Sequence, residues 1–155
     1  MLTSGNRSTS WVGNERRQFQ VAGVSFALKV TGVESSGACA VVEVTVPPNF
    51  AGPAPHLHER TTEVFYLLNG VMAFTLGQET TIARPGDVLR APPGMAHRFW
   101  NPTAAPATYL AFLTPGGFEQ YFVELAERFA NEPSWPPGNV DQLLAIGAKY
   151  DMVPA

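Results

Sequence analysis

This sequence predicts an all-β fold, a sandwich or barrel of short strands followed by helices. Two observations predict it: short apolar segments of period two are separated by Pro and Gly, and the period becomes helical after residue 114. The 155 residues include 14 Gly and 14 Pro, which supply turns for many short strands. A chain of this length typically builds one hydrophobic core, so we expect a single domain.

The first predicted strands lie before residue 47. Residues 24–30 alternate between large apolar side chains and Ser, Ala or Lys, which is typical of a half-buried strand. Residues 38–46 form a continuous run rich in β-branched residues, which favours a second strand. Proline occupies four of the nine positions from 47 to 55. Because proline cannot donate to a strand ladder, this segment is expected to be a rigid loop that delivers His56.

A β-hairpin is predicted around Asn69-Gly70, since this dipeptide favours the tight primed turns of hairpins. Its arms are residues 63–68 and 71–76. The expected pairs, which would share one face, are Leu67 with Met72, Phe65 with Phe74, and Glu63 with Leu76. Further short strands are predicted at 80–83, 87–91, 97–101 and 108–113.

Two amphipathic helices are predicted after the strands. The apolar stripe of the first helix consists of Phe118, Phe122, Leu125 and Phe129. The second helix is expected to begin at Asn139, whose side chain can cap it with Gln142 three residues later. The residues that this second helix would bury are Val140, Leu143, Leu144 and Gly147.

The composition argues against several classes of partner. The 10 Lys and Arg residues are outnumbered by 13 Asp and Glu residues, which disfavours binding to nucleic acids or anionic membranes. The sequence has no run of 18 apolar residues, and residues 1–7 lack the apolar core that is typical of a signal peptide. The single Cys39 cannot form an intrachain disulfide, so a cytoplasmic protein is expected. Residues 1–16 are expected to be a loose tail or an exchanged edge strand.

Four residues are candidates for chemistry: His56, His58, Glu63 and His97. His56 and His58 are two residues apart, so on a strand both imidazoles project from one face. Glu63 reaches the same side only if residues 59–62 turn, and His97 follows a tight turn at residues 92–96. Three imidazoles and one carboxylate suit one divalent transition metal: Fe, Mn, Co, Ni or Zn. A single histidine is usually a surface residue and a single glutamate a solvated charge, so the prediction depends on the joint pattern.

The spacing of these residues resembles the two sequence motifs of the cupin superfamily. The first motif is matched by His56-Leu57-His58, then four residues, Glu63, six residues and Gly70. The second motif is matched at every position, by Gly86, Pro92, Gly94, His97 and Asn101. Fifteen residues separate Gly70 from Gly86, a typical spacing in compact cupins. One departure is the leading glycine: Gly52 lies closer to His56 than the motif requires, and Phe50 occupies the expected place.

The resemblance implies the cupin double-stranded β-helix, a jelly-roll barrel, over residues 17–114. It also implies a C-terminal helical extension over residues 115–155, packed outside the barrel, and a metal held by His56, His58, Glu63 and His97. Residues 113–122 further resemble the segment that follows the barrel in quercetin-2,4-dioxygenase-like cupins. In that group the corresponding glutamate is assigned the role of base, which makes Glu63 the candidate catalytic residue.

The expected function is a metal-dependent dioxygenase, an oxidoreductase that acts on a hydrophobic enol or hydroxylated aromatic small molecule. Strand parity predicts an apolar substrate pocket lined by Phe65, Leu67, Met72, Phe74, Met95 and Phe99. Two alternatives stay open: a metal-dependent isomerase, lyase or decarboxylase, and a small-molecule-binding cupin without enzymatic activity. By the same parity Val64, Tyr66 and Trp100 face away from the site and suit the interface of a homodimer.

Overall fold

The computed structural model describes residues 17–155, which form eleven strands and two helices. The strands are β1 (Gln18–Val21), β2 (Val24–Val30), β3 (Ala40–Val46), β4 (His56–His58), β5 (Thr62–Asn69), β6 (Met72–Leu76), β7 (Glu79–Ala83), β8 (Val88–Ala91), β9 (His97–Trp100), β10 (Ala107–Thr114) and β11 (Met152–Pro154). The helices are α1 (Glu119–Arg128) and α2 (Val140–Lys149). The first sheet has the order β1-β2-β3-β10-β5-β8, and the second has the order β11-β4-β9-β6-β7.

The two sheets enclose one core in the predicted jelly roll. In β3, Ala40, Val42, Val44 and Val46 are buried while the residues between them are partly exposed, and β10 alternates in the same way. A fully buried aliphatic or aromatic side chain contributes about 1.5–3 kcal/mol to folding. The strands predicted at 24–30, 38–46 and 108–113 are confirmed to within two residues at each end. The alternation therefore places one face of β3 and one face of β10 in the core.

The predicted hairpin around Asn69-Gly70 is wrong. β5 pairs with β8 and β10 in the first sheet, whereas β6 pairs with β7 and β9 in the second. None of the expected pairs forms: Leu67 with Met72, Phe65 with Phe74, or Glu63 with Leu76. Glu63 instead pairs with Leu113 and Ala91, and Leu76 pairs with His97.

The tight turn at Gly70 carries the chain from one sheet to the other. Gly70 has φ +81°, and an added β carbon would lie 2.7 Å from Ala107. Local turn preference explains the glycine but does not specify whether the flanking strands pair. The inward orientation of both strands is as predicted, and the rings of Phe65 and Phe74 meet with centroids 5.0 Å apart.

The two helices lie against the sheets, but the buried face of α2 differs from the prediction. In the α1 region Phe118, Leu125 and Phe129 are buried as expected. The predicted cap of α2 is confirmed, because Asn139 Oδ1 accepts a hydrogen bond from the backbone N–H of Gln142 at 3.0 Å. Val140 and Leu144 were expected to be buried, yet they are 49% and 45% exposed. Among the described residues α2 packs mainly against α1 and β11, on the side that includes the buried Ile146 and Gly147.

The predicted helical extension also contributes a strand to the second sheet. β11 lies antiparallel to β4, with Met152 opposite His58 and Pro154 opposite His56. A three-residue segment that contains proline shows too little alternation to predict a strand. The expectation for residues 1–16 falls outside the described residues. Within residues 17–155, no helix combines the length and apolar character needed to cross a membrane.

Candidate metal centre

The four candidate ligands come from three strands and from both sheets. His56 and His58 lie on β4 and His97 lies on β9 in the second sheet, while Glu63 lies on β5 in the first. Each of the four is at most 5% exposed. One potential ligand atom from each residue lies within 4.8 Å of the other three. The structure thus brings the four sequence-predicted residues together between the sheets.

A close backbone approach fixes the loop that leads into β4. Gly52 has φ +75°, and an added β carbon would lie 1.6 Å from the carbonyl oxygen of Phe99, so only glycine fits. The carbonyl oxygen of Gly52 accepts a hydrogen bond from Trp135 Nε1 at 2.8 Å. Gly52, whose position departs from the motif spacing, therefore allows this loop to pack against β9, the strand that carries His97.

The three imidazoles are oriented by hydrogen bonds to backbone carbonyls. Their Nδ1 atoms donate to Ala54 at 2.9 Å from His56, to Asp151 at 3.1 Å from His58, and to Met95 at 3.0 Å from His97. Because a carbonyl oxygen can only accept, the proton of each neutral ring is on Nδ1. Nε2 then has a free lone pair, which is the arrangement typical of metal-ligating histidines.

The Nε2 atoms of two imidazoles converge on the carboxylate. Nε2 of His58 and Nε2 of His97 lie 3.3 and 3.2 Å from Oε2 of Glu63. Nε2 of His58 is fully buried and makes no hydrogen bond within residues 17–155. An unsatisfied buried polar atom costs about 1–3 kcal/mol, and a cation would remove that cost. The cluster therefore fits a divalent transition metal that accepts nitrogen and oxygen ligands.

Burial and neighbouring charges shift the pKa values of three cluster residues in different directions. Burial lowers the pKa of His56 to about 4, and the neighbouring His97 lowers it further. Burial alone would lower the pKa of His97, but contact with Glu63 outweighs it and raises that pKa above its usual value. Burial alone would raise the pKa of Glu63, yet the imidazoles of His58 and His97 hold it well below its usual range. At neutral pH Glu63 is an anion and His56 is neutral.

The turn between β4 and β5 is held by Asp151, which the sequence analysis did not identify. Oδ2 of Asp151 accepts hydrogen bonds from the backbone N–H groups of Arg60 and Thr61 and from Oγ1 of Thr61, at 2.9–3.0 Å. Oδ1 accepts a fourth bond from the backbone N–H of Glu59 at 3.2 Å. These partners are 90 to 92 residues away along the chain, so no local spacing reveals the contact.

An aromatic cavity adjoins the cluster. It holds about 530 Å³ of empty space, including its mouth, and His56, His58 and Glu63 contribute to its wall. The aromatic side chains that line it are Phe26, Phe50, Phe99, Tyr109, Phe118, Tyr121, Phe122 and Trp135. None of the lysines and arginines between residues 17 and 155 lines it. The arrangement favours flat, apolar ligands beside the candidate ligands of the metal.

Two tyrosines give this cavity polar groups that the sequence analysis missed. Burial raises the pKa of Tyr109 well above its usual value, and the charge of Glu63 raises it further; the same two causes act on the pKa of Tyr121. Both phenols therefore stay protonated and can donate hydrogen bonds. Strand parity could have identified Tyr109, which shares the inward face of β10 with Ala111 and Leu113. Tyr121 depends on where α1 docks, which the sequence does not specify.

Most of the predicted pocket residues do not line this cavity. Phe99 does, but Phe65, Leu67, Met72 and Phe74 are at most 1% exposed and form part of the solid core. Met95 is half-buried and lies outside the cavity. Alternation indicates which side chains face between the sheets, but it does not indicate which end of the core stays open. Here the cavity lies beside β2, β3 and α1.

An apolar groove lies outside the cavity and meets it at Trp135. The groove runs between residues 52–55, α2 and β11, with about 740 Å³ of empty space. The exposed Val140 and Leu144 line it, and His56 contributes to both the groove and the cavity. Trp135 also lines both, so it forms part of the wall between them.

Comparison with known proteins finds one matching family profile and several similar folds. The profile of the Cupin domain matches residues 42–113, a range that includes all four candidate ligands. Among curated proteins, none matches the sequence. Similar solved structures include KdgF from Halomonas sp., at 20% identity and TM-score 0.62, covering 71% of this chain and 96% of that chain.

Two further structures give the same fold. A predicted oxalate decarboxylase from Thermotoga maritima matches at 20% identity and TM-score 0.61, covering 68% of this chain and 99% of that chain. A sugar phosphate isomerase of the cupin superfamily from Silicibacter pomeroyi matches at 28% identity and TM-score 0.52, covering 59% of both chains. The family profile indicates a cupin domain over residues 42–113, and the solved structures share the two-sheet jelly-roll fold of this chain.

Proposed function

We propose that this protein is a metal-dependent oxidoreductase, a dioxygenase, that acts on a hydrophobic enol or hydroxylated aromatic small molecule. The observation that carries the proposal is the meeting of a three-histidine, one-glutamate cluster with a cavity of aromatic walls. An aromatic ligand can pack on these walls while its hydroxyl oxygen reaches the cluster. The proposed cofactor is one divalent transition metal: Fe, Mn, Co, Ni or Zn.

The charges around the cavity favour a substrate with one ionisable oxygen. A divalent ion beside the Glu63 carboxylate leaves a single net positive charge. No lysine or arginine of the described residues lines the cavity, so a second negative charge on a substrate would be left unpaired. An unpaired buried charge is strongly unfavourable. A neutral enol or phenol that loses one proton therefore matches the site better than a dianion.

Glu63 is the proposed catalytic base. Its ionised carboxylate accepts the proton of the substrate hydroxyl and leaves an enolate or phenolate, while the protonated phenols of Tyr109 and Tyr121 orient the substrate. A transition metal on the four proposed ligands would supply a Lewis acid and, where it is redox-active, the means to activate O2. In the overall reaction both atoms of O2 enter the product, and no external reductant is required.

A second candidate function is a metal-dependent isomerase, lyase or decarboxylase, which needs no O2. The names of two structural neighbours, an isomerase and a decarboxylase, favour it. Those names describe anionic substrates, sugar phosphate and oxalate, for which this cavity offers neither lysine nor arginine among residues 17–155. A third candidate is a binding protein that holds the same class of ligand without turnover.

Oxygen consumption distinguishes these candidates. The chain would be loaded separately with each of the five metals and mixed with flavonols, catechols and other enols, in air and anaerobically. One O2 consumed per product formed would support the dioxygenase, and equal product without O2 would support the isomerase or lyase. Binding without product in either atmosphere would support the binding protein. Oxalate and a sugar phosphate are the anionic controls, and turnover of these alone would contradict the charge argument.

A further inference from the structure

β4, the strand that carries two proposed ligands, depends on β11 for its position. On one side β4 shares a single residue pair with β9, His56 opposite His97. On the other side β11 pairs with all three residues of β4. The placement of His58 therefore depends on a segment more than 90 residues further along the chain.

Asp151, immediately before β11, supports two of the proposed ligands. Its carbonyl oxygen accepts the hydrogen bond from His58 Nδ1 at 3.1 Å, which sets the orientation of that ring. Its carboxylate accepts four hydrogen bonds from residues 59–61, the turn that leads to Glu63. Asp151 is buried, at 8% exposure. One residue thus fixes the ring of one ligand and the path of the chain to another.

The backbone of Asp151 is also unusual. Its φ of +74° lies in the left-handed region, which Asn, Asp and Gly adopt more readily than other residues. The left-handed conformation occurs at the residue whose carbonyl contacts His58 and whose carboxylate contacts the turn. A bulkier residue would lose the carboxylate contacts and also strain the backbone there.

We propose that Asp151 is a positioning residue of the metal centre, acting through His58 and through the turn that precedes Glu63. The inference rests on the proposed function, because it requires a metal on the four ligands. Groups that orient the ligands of a metal typically change its affinity by about 10- to 100-fold. The coupling is reciprocal, so a bound metal stabilises the contacts of Asp151 as much as these contacts strengthen metal binding.

Cobalt(II) binding to the full chain tests the inference, because its visible absorption reports coordination geometry as well as affinity. Asp151→Asn keeps the size and backbone preference but leaves one acceptor oxygen where the carboxylate has two. Asp151→Gly tolerates the positive φ and removes all four contacts with the turn. We expect cobalt affinity to fall about 10- to 100-fold in the Asn variant and at least as far in the Gly variant, with shifted absorption bands. The matched control is Asp141→Asn, an exposed position on α2, which should leave both unchanged.

Hydrogen exchange of the unmodified chain is a second test that does not depend on a variant folding. Bound cobalt should slow amide exchange at residues 59–61, whose N–H groups donate to Asp151. A folded Asp151→Asn variant with unchanged cobalt affinity and spectrum would overturn the inference and leave the metal site intact. An amide exchange rate at residues 59–61 that is the same with and without cobalt would also overturn the inference. A wild-type chain that binds none of the five metals would refute the proposed function, and the inference with it.

Discussion

At the scale of single residues, the four candidate metal ligands contribute different chemical groups. Each histidine supplies a neutral nitrogen, whereas Glu63 supplies the negative charge and the proposed base. Gly52 contributes no chemistry, but its lack of a side chain allows the loop before His56 to contact β9. Substitutions at these positions should therefore affect metal affinity, turnover and stability in different proportions.

Substitutions of His58 and Glu63 should separate metal binding from turnover. His58→Ala opens a coordination position, so metal affinity should fall by at least about 10- to 100-fold and turnover should fall with it. Glu63→Gln keeps a weak oxygen donor but deletes the charge and the base, so turnover should fall by about 10²–10⁴-fold while part of the metal remains bound. Elemental analysis and steady-state kinetics measure the two quantities.

The control for the glutamate variant is Glu59→Gln, because Glu59 is exposed and lies in the adjacent turn. This variant should retain both metal and activity. Full turnover by Glu63→Gln on a genuine substrate would show that Glu63 is structural, and the proposed mechanism would lose its base.

Gly52→Ala should destabilise the protein far more than Gly77→Ala. Both glycines have positive φ, +75° and +60°, so both variants pay a backbone cost of about 1–2 kcal/mol. Only at Gly52 does the added carbon collide with backbone, at 1.6 Å from the Phe99 carbonyl oxygen, whereas nothing lies within 4 Å at Gly77. Urea unfolding should give a loss of at least about 3 kcal/mol for the first variant. Equal losses would show that the loop can move away from β9.

At the scale of elements, periodicity predicts orientation within a strand but not the partners of that strand. The inward face of β4 and the position of β2 follow from alternation. Asn69-Gly70 predicts a tight turn correctly. The flanking strands nevertheless enter different sheets, β5 the first and β6 the second. The exposed Val140 and Leu144 show the same limit for a helix, since the pattern does not reveal that α2 docks on one side only.

Removing the cap of α2 should weaken the helix that forms one wall of the apolar groove. Asn139→Ala deletes the oxygen that accepts the Gln142 N–H, which should lower the free energy of unfolding by about 1 kcal/mol. Asn139→Asp keeps an acceptor and should remain close to wild type. Thermal unfolding monitored by circular dichroism compares the variants. If the Ala and Asp variants were equally stable, the cap would contribute nothing.

At the scale of the whole molecule, the candidate metal centre could be predicted because its four residues lie within two short motifs. The cavity was not, because it is built by segments that are distant in sequence: Tyr109 on β10, Tyr121 on α1 and Trp135 beyond it. The role of Asp151 could not be predicted for the same reason, since its hydrogen-bond partners lie at least 90 residues away in the sequence. Spacing can thus predict the ligands of a site, while its walls and supports depend on how elements pack.

A homodimer remains a prediction at this scale. Tyr66 faces away from the site as strand parity requires, and it pairs with Val88; the two are 37% and 62% exposed. Burying such a patch against a second copy would be favourable. Sedimentation should give twice the mass of the chain, and Tyr66→Glu should yield the monomer. Ile82→Glu, at an exposed position on the other sheet, is the control, and a wild-type monomer at high concentration would contradict the prediction.

The contact between His58 and Asp151 has a consequence for biosynthesis. The two residues are 93 positions apart, which corresponds to about 5–20 s of translation. During that interval the ribosome adds the other ligands, Glu63 and His97, well before the carbonyl that orients His58 exists. A nascent chain would therefore hold a cation only loosely until β11 pairs with β4. The proposed ion should therefore load only after β11 has paired with β4.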